Sequence, residues 1–363
     1  MKKLTKLLAI VSWVCAIYLL IMFFNLKKTL NFEQQALVTP IITYVKSTSL
    51  DDEEKAFIKK INPFGILLNS ENIASKAQIK TLIRELKLLF PGRKLYVAID
   101  QEGGQVDRLK KIFAKDKLLK EASYYGAIAE YDLVQAKREL YRDSKFTAEI
   151  LADLGFDINL APMVDLTFFK NSSVKGVKKS WAATEARSYS SEVRIVVELA
   201  TVFIKAMHEV GIITVVKHIP GLGRAFEDSH NGEAIIEAGY LDLLEKDFLV
   251  FKALAKIAKM AMVSHGTYSA IDPLPATFSK KIIKDVIKRE IQFNGLLISD
   301  ALNMQAISNY KLEDRVKKSL AAGVDIVIPN YVSRIVAIKA VKAIKEENLK
   351  KFNQKLVALG YLN

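Results

Sequence analysis

The stretch Ile212-Ile-Thr-Val-Val-Lys-His-Ile-Pro-Gly-Leu-Gly223 decides how the fold is read. Ile212 to Val216 are rich in β-branched side chains and read as a short buried strand. The run stops on Lys217-His218, and a proline and two glycines follow, which forbid a continuing helix and force a mobile or tightly turned loop. Outward from it the same pattern recurs, giving candidate strands at Thr39 to Val45, Gly65 to Leu68, Leu95 to Ile99, Phe156 to Leu160, Met260 to Val263, Leu296 to Ile298 and Asp325 to Ile328. Helix-like stretches lie between them, such as Ala77 to Phe90, Ser191 to Val210, Asp242 to Ala258 and Lys280 to Gln292. Eight parallel strands with intervening helices most simply close into an α/β (β/α)8 TIM barrel, with an open doubly wound sheet as the lesser alternative. Several strands run straight into reactive groups: the third into Asp100, the fourth into Asn159 and Asp165, the fifth into Lys217-His218, the sixth into His265, the seventh into Ser299-Asp300. In a barrel these ends share the face on which active sites are built. A purely structural strand has no reason to end repeatedly in charged groups.

The chain has 363 residues, half of them hydrophobic, enough for one barrel behind an N-terminal appendage. Leu7 to Phe24 form an uncharged run of 18, long enough to span a membrane, which predicts a transmembrane anchor over 7–24 and a catalytic domain over 37–363. The run ends on Met22-Phe-Phe-Asn25 instead of the small residues of a cleavage site, so the helix is expected to be retained. Lys2, Lys3 and Lys6 favour a cytoplasmic amino terminus and therefore an extracytoplasmic enzyme domain in the cytoplasmic membrane, although Lys27 and Lys28 on the far side weaken that orientation. The lone cysteine, Cys15, lies inside the apolar run and excludes a disulfide framework and a cysteine metal site. A net charge of +14 is carried by scattered lysines with no basic stripe interleaved with aromatics, so no nucleic-acid partner is expected and a monomer is the simplest state.

The loop after Gly223 carries Asp228-Ser-His230. Residues two apart in an extended segment project to one side, so Asp228 can hold the His230 imidazole and raise its basicity for acid–base work. The alternative is an N-cap Asp-Ser pair beside a surface histidine. His208 lies in a helical pattern and reads as a packing or surface residue.

Five stretches together carry a resemblance: Ala98 to Leu109, Asn159 to Asp165, Arg187-Ser-Tyr189, Lys217 to Gly223 with Asp228-Ser-His230, and Ile298-Ser-Asp-Ala-Leu-Asn-Met304. In this order the chain resembles glycoside hydrolase family three, in its small single-domain branch of β-N-acetylglucosaminidases that trim peptidoglycan fragments. The resemblance implies Asp300 as nucleophile and His230, oriented by Asp228, as acid/base. It implies sugar binding by Asp100, Arg108, Arg187, Lys217 and His218 and puts His265 at a position lining the pocket; Glu102 reads as support and Asp165 as structural. No metal set emerges, since His218, Asp228 and His230 could ligate an ion only by giving up these roles, and no cofactor is expected. The expected substrate is a peptidoglycan-derived oligosaccharide; a chitooligosaccharide-cleaving relative and a tethered glycan-binding protein with a decayed site are the alternatives. Leu222, Gln105 and Glu71-Asn72 depart from the family's usual residues, and the lysine-rich stretch Phe168 to Glu185 is longer than expected. Because the apolar run precedes the first strand, a chain lacking residues 1–30 is expected to stay soluble and to unfold in one cooperative transition; loss of cooperativity in urea denaturation would make that run part of the core.

Overall fold

The computed structural model describes residues 37–113, 118–172, 176–229, 232–329 and 334–362, with Trp13, Ile17, Tyr18, Leu20 and Met22 of the N-terminal run. Contacts divide the chain into Met1–Val38 and Thr39–Asn363. The second unit is a closed barrel of eight strands: β1 Thr39–Tyr44, β2 Pro63–Leu68, β3 Tyr96–Ile99, β4 Ile158–Asn159, β5 Ile213–Ile219, β6 Met260–Val263, β7 Leu296–Ala301 and β8 Ile326–Ile328. Each strand pairs in parallel with its sequence neighbours, and β8 closes on β1. All eight expected strands are present. They read as near-continuous apolar runs because both faces are covered, by inward side chains and by outer helices.

The helices follow the same local logic. Ser75 caps Lys76–Leu88 by accepting from the Gln78 amide. Asp132 caps Leu133–Leu154, which ends at Gly155 with φ +97°, a left-handed conformation glycine adopts without strain. The latter helix packs against Val193–His208. His208 sits at that helix's last turn with Nε2 3.1 Å from the Thr214 hydroxyl, the packing role its pattern predicted. The stretch Phe168 to Glu185 folds in part as an antiparallel hairpin, Phe169–Ser172 with Gly176–Lys179, standing outside the barrel sheet.

Two strands run further at their C-terminal ends than expected, and both irregularities serve the mouth. In β5 the pairing with β6 shifts between Lys217 and Ile219, so Lys217 faces Met262 and Ile219 faces Val263. A bulge of this kind re-aims side chains, and here the consecutive residues Lys217 and His218 both line the barrel's cavity instead of alternating. In β7 the pairing with β8 shifts between Ile298 and Ala301, leaving Ser299 and Asp300 on the irregular segment. The Ser299 hydroxyl accepts the Ile328 amide at 3.0 Å, replacing the ladder bond the bulge removes.

No described helix is long and apolar enough to cross a membrane. Apart from the five N-terminal residues named above, the span expected over 7–24 lies outside the described residues, and nothing in the fold supports it. Ser299→Ala should orphan the buried Ile328 N–H and cost about 1–3 kcal/mol, measurable as a lower urea midpoint at unchanged slope.

Candidate active site

A cavity of about 390 Å³ opens at the C-terminal ends of the strands. Its wall includes Asp100, Arg108, Arg187, Lys217, His218 and Asp300, six of the residues expected there. The volume is near the lower end of small-molecule sites, sized for a compact polar ring.

Local bonds fix how β3 delivers its acids. Asn159 at the end of β4 exchanges two hydrogen bonds with the Gln101 backbone, at 3.0 and 2.9 Å. The Gln101 side chain donates to Asp107 and accepts the Arg108 amide, turning the loop so that Arg108 returns to Asp100 at 3.2 Å. Lys217 reaches across from β5 to Asp100 at 2.7 Å and also contacts Glu102. Glu102 in turn takes the Arg187 guanidinium in a fork, at 2.8 and 2.9 Å, and Arg187 continues to Glu185 at 3.2 Å. Charges therefore alternate along Arg108, Asp100, Lys217, Glu102, Arg187 and Glu185. Lys217 is 3% exposed and Glu102 7%. Burial pushes the Glu102 carboxyl up, but Arg187 and Lys217 together outweigh it and hold it well below the usual carboxylate range. Burial likewise opposes the Lys217 ammonium, and Asp100 and Glu102 overcome it.

The β7 side is built from Asp300 and two histidines. Asp300 Oδ1 accepts the Ala301 amide at 2.7 Å, while Oδ2 lies 3.8 Å from His218 Nε2. His265 is 1% exposed and absent from the cavity wall. Its Nε2 meets the Ala301 carbonyl at 3.1 Å and its Nδ1 meets the Thr277 hydroxyl at 2.8 Å, so it fixes the peptide behind Asp300. Burial lowers its pKa, which suits a neutral ring donating from Nε2 to that carbonyl.

The loop after β5 is tightly pinned. Leu222 donates to Asp165 and its carbonyl accepts from the Trp181 indole, while Tyr268 donates to the Gly221 carbonyl at 2.8 Å. Gly223 passes so close to the Leu166 carbonyl that a Cβ there would collide with it. Asp228 is described but does not line the cavity, and His230 lies outside the described residues. The Ser229 carbonyl accepts the Ala306 amide at 3.1 Å, docking this loop on the segment that follows Asp300. Glu71, Asn69, Asn303 and Met304 also line the cavity. Only Glu71 and the Asn303-Met304 ending of the last motif had a sequence signal; Asn69 follows β2 directly, and strand-end position is what could have found it.

Residues 29–358 match the family model described as glycosyl hydrolase family 3 N terminal domain. A β-hexosaminidase of Nitrosomonas eutropha is 30% identical over 291 residues, 80% of each chain. A solved structure of a glycoside hydrolase family 3 β-N-acetylglucosaminidase from Paenibacillus superposes with a TM-score of 0.76 at 25% identity, covering 88% of this chain and 60% of that one. Native NagZ from Neisseria gonorrhoeae gives 0.75 at 26%, covering 88% and 90%. The chain belongs to glycosyl hydrolase family 3 and is a glycoside hydrolase of the β-N-acetylhexosaminidase type.

Beneath the pinned loop, Asp247 accepts from Arg224 Nε at 2.7 Å through Oδ2, while its buried Oδ1 has no hydrogen-bond partner. Burial raises its pKa from 3.8 to about 6 against the pull of Arg224. A raised carboxyl favours folding fully below its unfolded pKa, and that contribution is lost as pH rises through about 6. Asp247→Asn, which cannot titrate, should therefore lose less stability than the parent between about pH 4 and 7, by a difference of order 2 kcal/mol. Urea denaturation at a series of pH values reads this directly; parallel curves for the two proteins would refute it.

Proposed function

We propose that this chain is a retaining exo-β-N-acetylglucosaminidase that removes terminal nonreducing β-linked N-acetylglucosamine from peptidoglycan fragments. The observation that carries the reading is Asp300, which lines a charge-rich cavity with one oxygen accepting the following Ala301 amide and the other turned toward His218. The names of its relatives, β-hexosaminidase and NagZ, support the class of bond cleaved.

In this reading Asp300 attacks the anomeric carbon as His230 gives its proton to the departing glycosidic oxygen, so the bond to the aglycone breaks and a glycosyl-enzyme forms. His230 then takes a proton from water, and the water oxygen displaces Asp300 with a second inversion. Asp228 orients and tunes the imidazole. Asp100, Arg108, Lys217, His218 and Arg187 bind the sugar, the charged groups offering strong hydrogen bonds to its hydroxyls. Residues 7–24 anchor the enzyme in the cytoplasmic membrane with residues 37–363 on the extracytoplasmic side.

Asp300→Ala is expected to abolish turnover, and a 2-fluoro-sugar inactivator should label Asp300; labelling of another carboxylate would move the nucleophile elsewhere. His230→Ala should still release a burst of aryl product from an activated glycoside, which needs little protonation, followed by slow turnover. The loss should be far larger on a disaccharide. Equal losses on both substrates with no burst would remove His230 from the acid/base role. Comparing N-acetylglucosamine release from a muropeptide and from chitobiose decides the aglycone.

A further inference from the structure

Asp165 was expected to be structural, yet its fully buried carboxylate makes three directed contacts at the site. Oδ2 meets His218 Nδ1 at 2.7 Å and the His218 amide at 3.1 Å, and Oδ1 accepts the Leu222 amide at 2.6 Å. A carboxylate in this setting only accepts, so the ring nitrogen facing it must carry the hydrogen. Nε2 is then the nitrogen turned to the cavity. It stands 3.8 Å from Asp300 Oδ2, beyond hydrogen-bond range, and the Trp181 ring packs edge-on against the imidazole with centroids 5.7 Å apart.

We propose that Asp165 is a positioning residue for glycoside cleavage, keeping a hydrogen of the His218 ring on Nδ1 so that Nε2 is the nitrogen that offers a lone pair to a sugar hydroxyl. The opposite tautomer would aim an N–H at Asp300. The positive end of that N–H dipole, 3.8 Å from Oδ2, would stabilise the carboxylate before attack and weaken it as a nucleophile. The same carboxylate holds the Leu222 turn, so one buried group sets both the ring beside Asp300 and the start of the loop that leads to Asp228 and His230. The groups around the ring are Asp165 from the segment after β4, Asp300 from β7, Lys217 on its own strand, and His265 behind Asp300. The consequence for rate rests on Asp300 being the nucleophile; the tautomer does not.

The chain has four histidines, so nitrogen-15 NMR of the histidine-labelled protein is tractable, with the His218→Gln spectrum identifying the signal. In the wild type at alkaline pH, His218 should show a protonated, pyrrole-type Nδ1 and an unprotonated, pyridine-type Nε2. In Asp165→Ala the acceptor for Nδ1–H is gone, so the Nδ1-protonated form should lose its dominance and an Nε2–H form should appear. kcat on an aryl N-acetyl-β-glucosaminide should then fall roughly 10- to 100-fold, the range seen when a group orienting a histidine is lost, with a smaller change in KM. A wild-type ring protonated at Nε2, an unchanged pattern in the variant, or an altered pattern with unchanged kcat would each overturn the proposal. If Asp165→Ala does not fold, the wild-type spectrum decides alone. Absence of aryl hydrolysis in the wild type would instead remove the reading of Asp300 and leave the tautomer result standing.

Discussion

The site depends on Lys217 being buried between Asp100 and Glu102. An ammonium removed from water is stable only where opposite charges and hydrogen bonds replace its hydration, and an unpaired charge there would be strongly destabilising. Lys217 therefore compels the two carboxylates from the β3 loop to meet β5. Glu102 cannot satisfy itself with one cation, and its fork with Arg187 draws in the segment after the hairpin. Three stretches far apart in sequence are locked to one another before any substrate arrives. Such rigidity suits catalysis, since donors already in place need no reorganisation when charge develops.

The second half of the site uses hydrogen bonds among carboxylates, imidazoles and backbone amides, together with backbone irregularity. Bulges in β5 and β7 turn chain-adjacent residues toward the mouth, where an ideal strand would alternate them. Each bulge costs ladder bonds, and each is repaired: Ser299 accepts the Ile328 amide, and Asp165 accepts the His218 amide. Asp300 is thereby held from behind by the Ala301 peptide, which His265 fixes, and faced by His218, which Asp165 fixes. Two histidines flank one carboxylate, only one of them lining the cavity.

The loop from Lys217 to Gly223 shows why glycine and proline there are not signs of mobility. Gly223 permits the backbone to lie against the Leu166 carbonyl, and Gly221 packs on Asp247, approaches a side chain at either place would block. Bonds from Trp181, Tyr268 and Asp165 then pin the turn. The sequence offered a mobile or a tight loop, and packing selected the tight one.

Strand number, parallel order and the residues at the mouth were legible in the sequence, because β-branched runs and their polar ends are local features repeated eight times. Asp100, Arg108, Arg187, Lys217, His218 and Asp300 were found this way and by family resemblance, and all line one cavity. Long-range partner choice was not legible. Glu102 meets Arg187 across 85 positions, Lys217 meets Asp100 across 117 and His218 meets Asp165 across 53. Nothing in local composition says which of many charged residues will be neighbours after barrel closure. Sequence thus determined the chemical groups available at the mouth; the tertiary structure decided which are engaged with one another and which nitrogen of His218 faces the nucleophile, since burial forces each polar atom to find its partner in space.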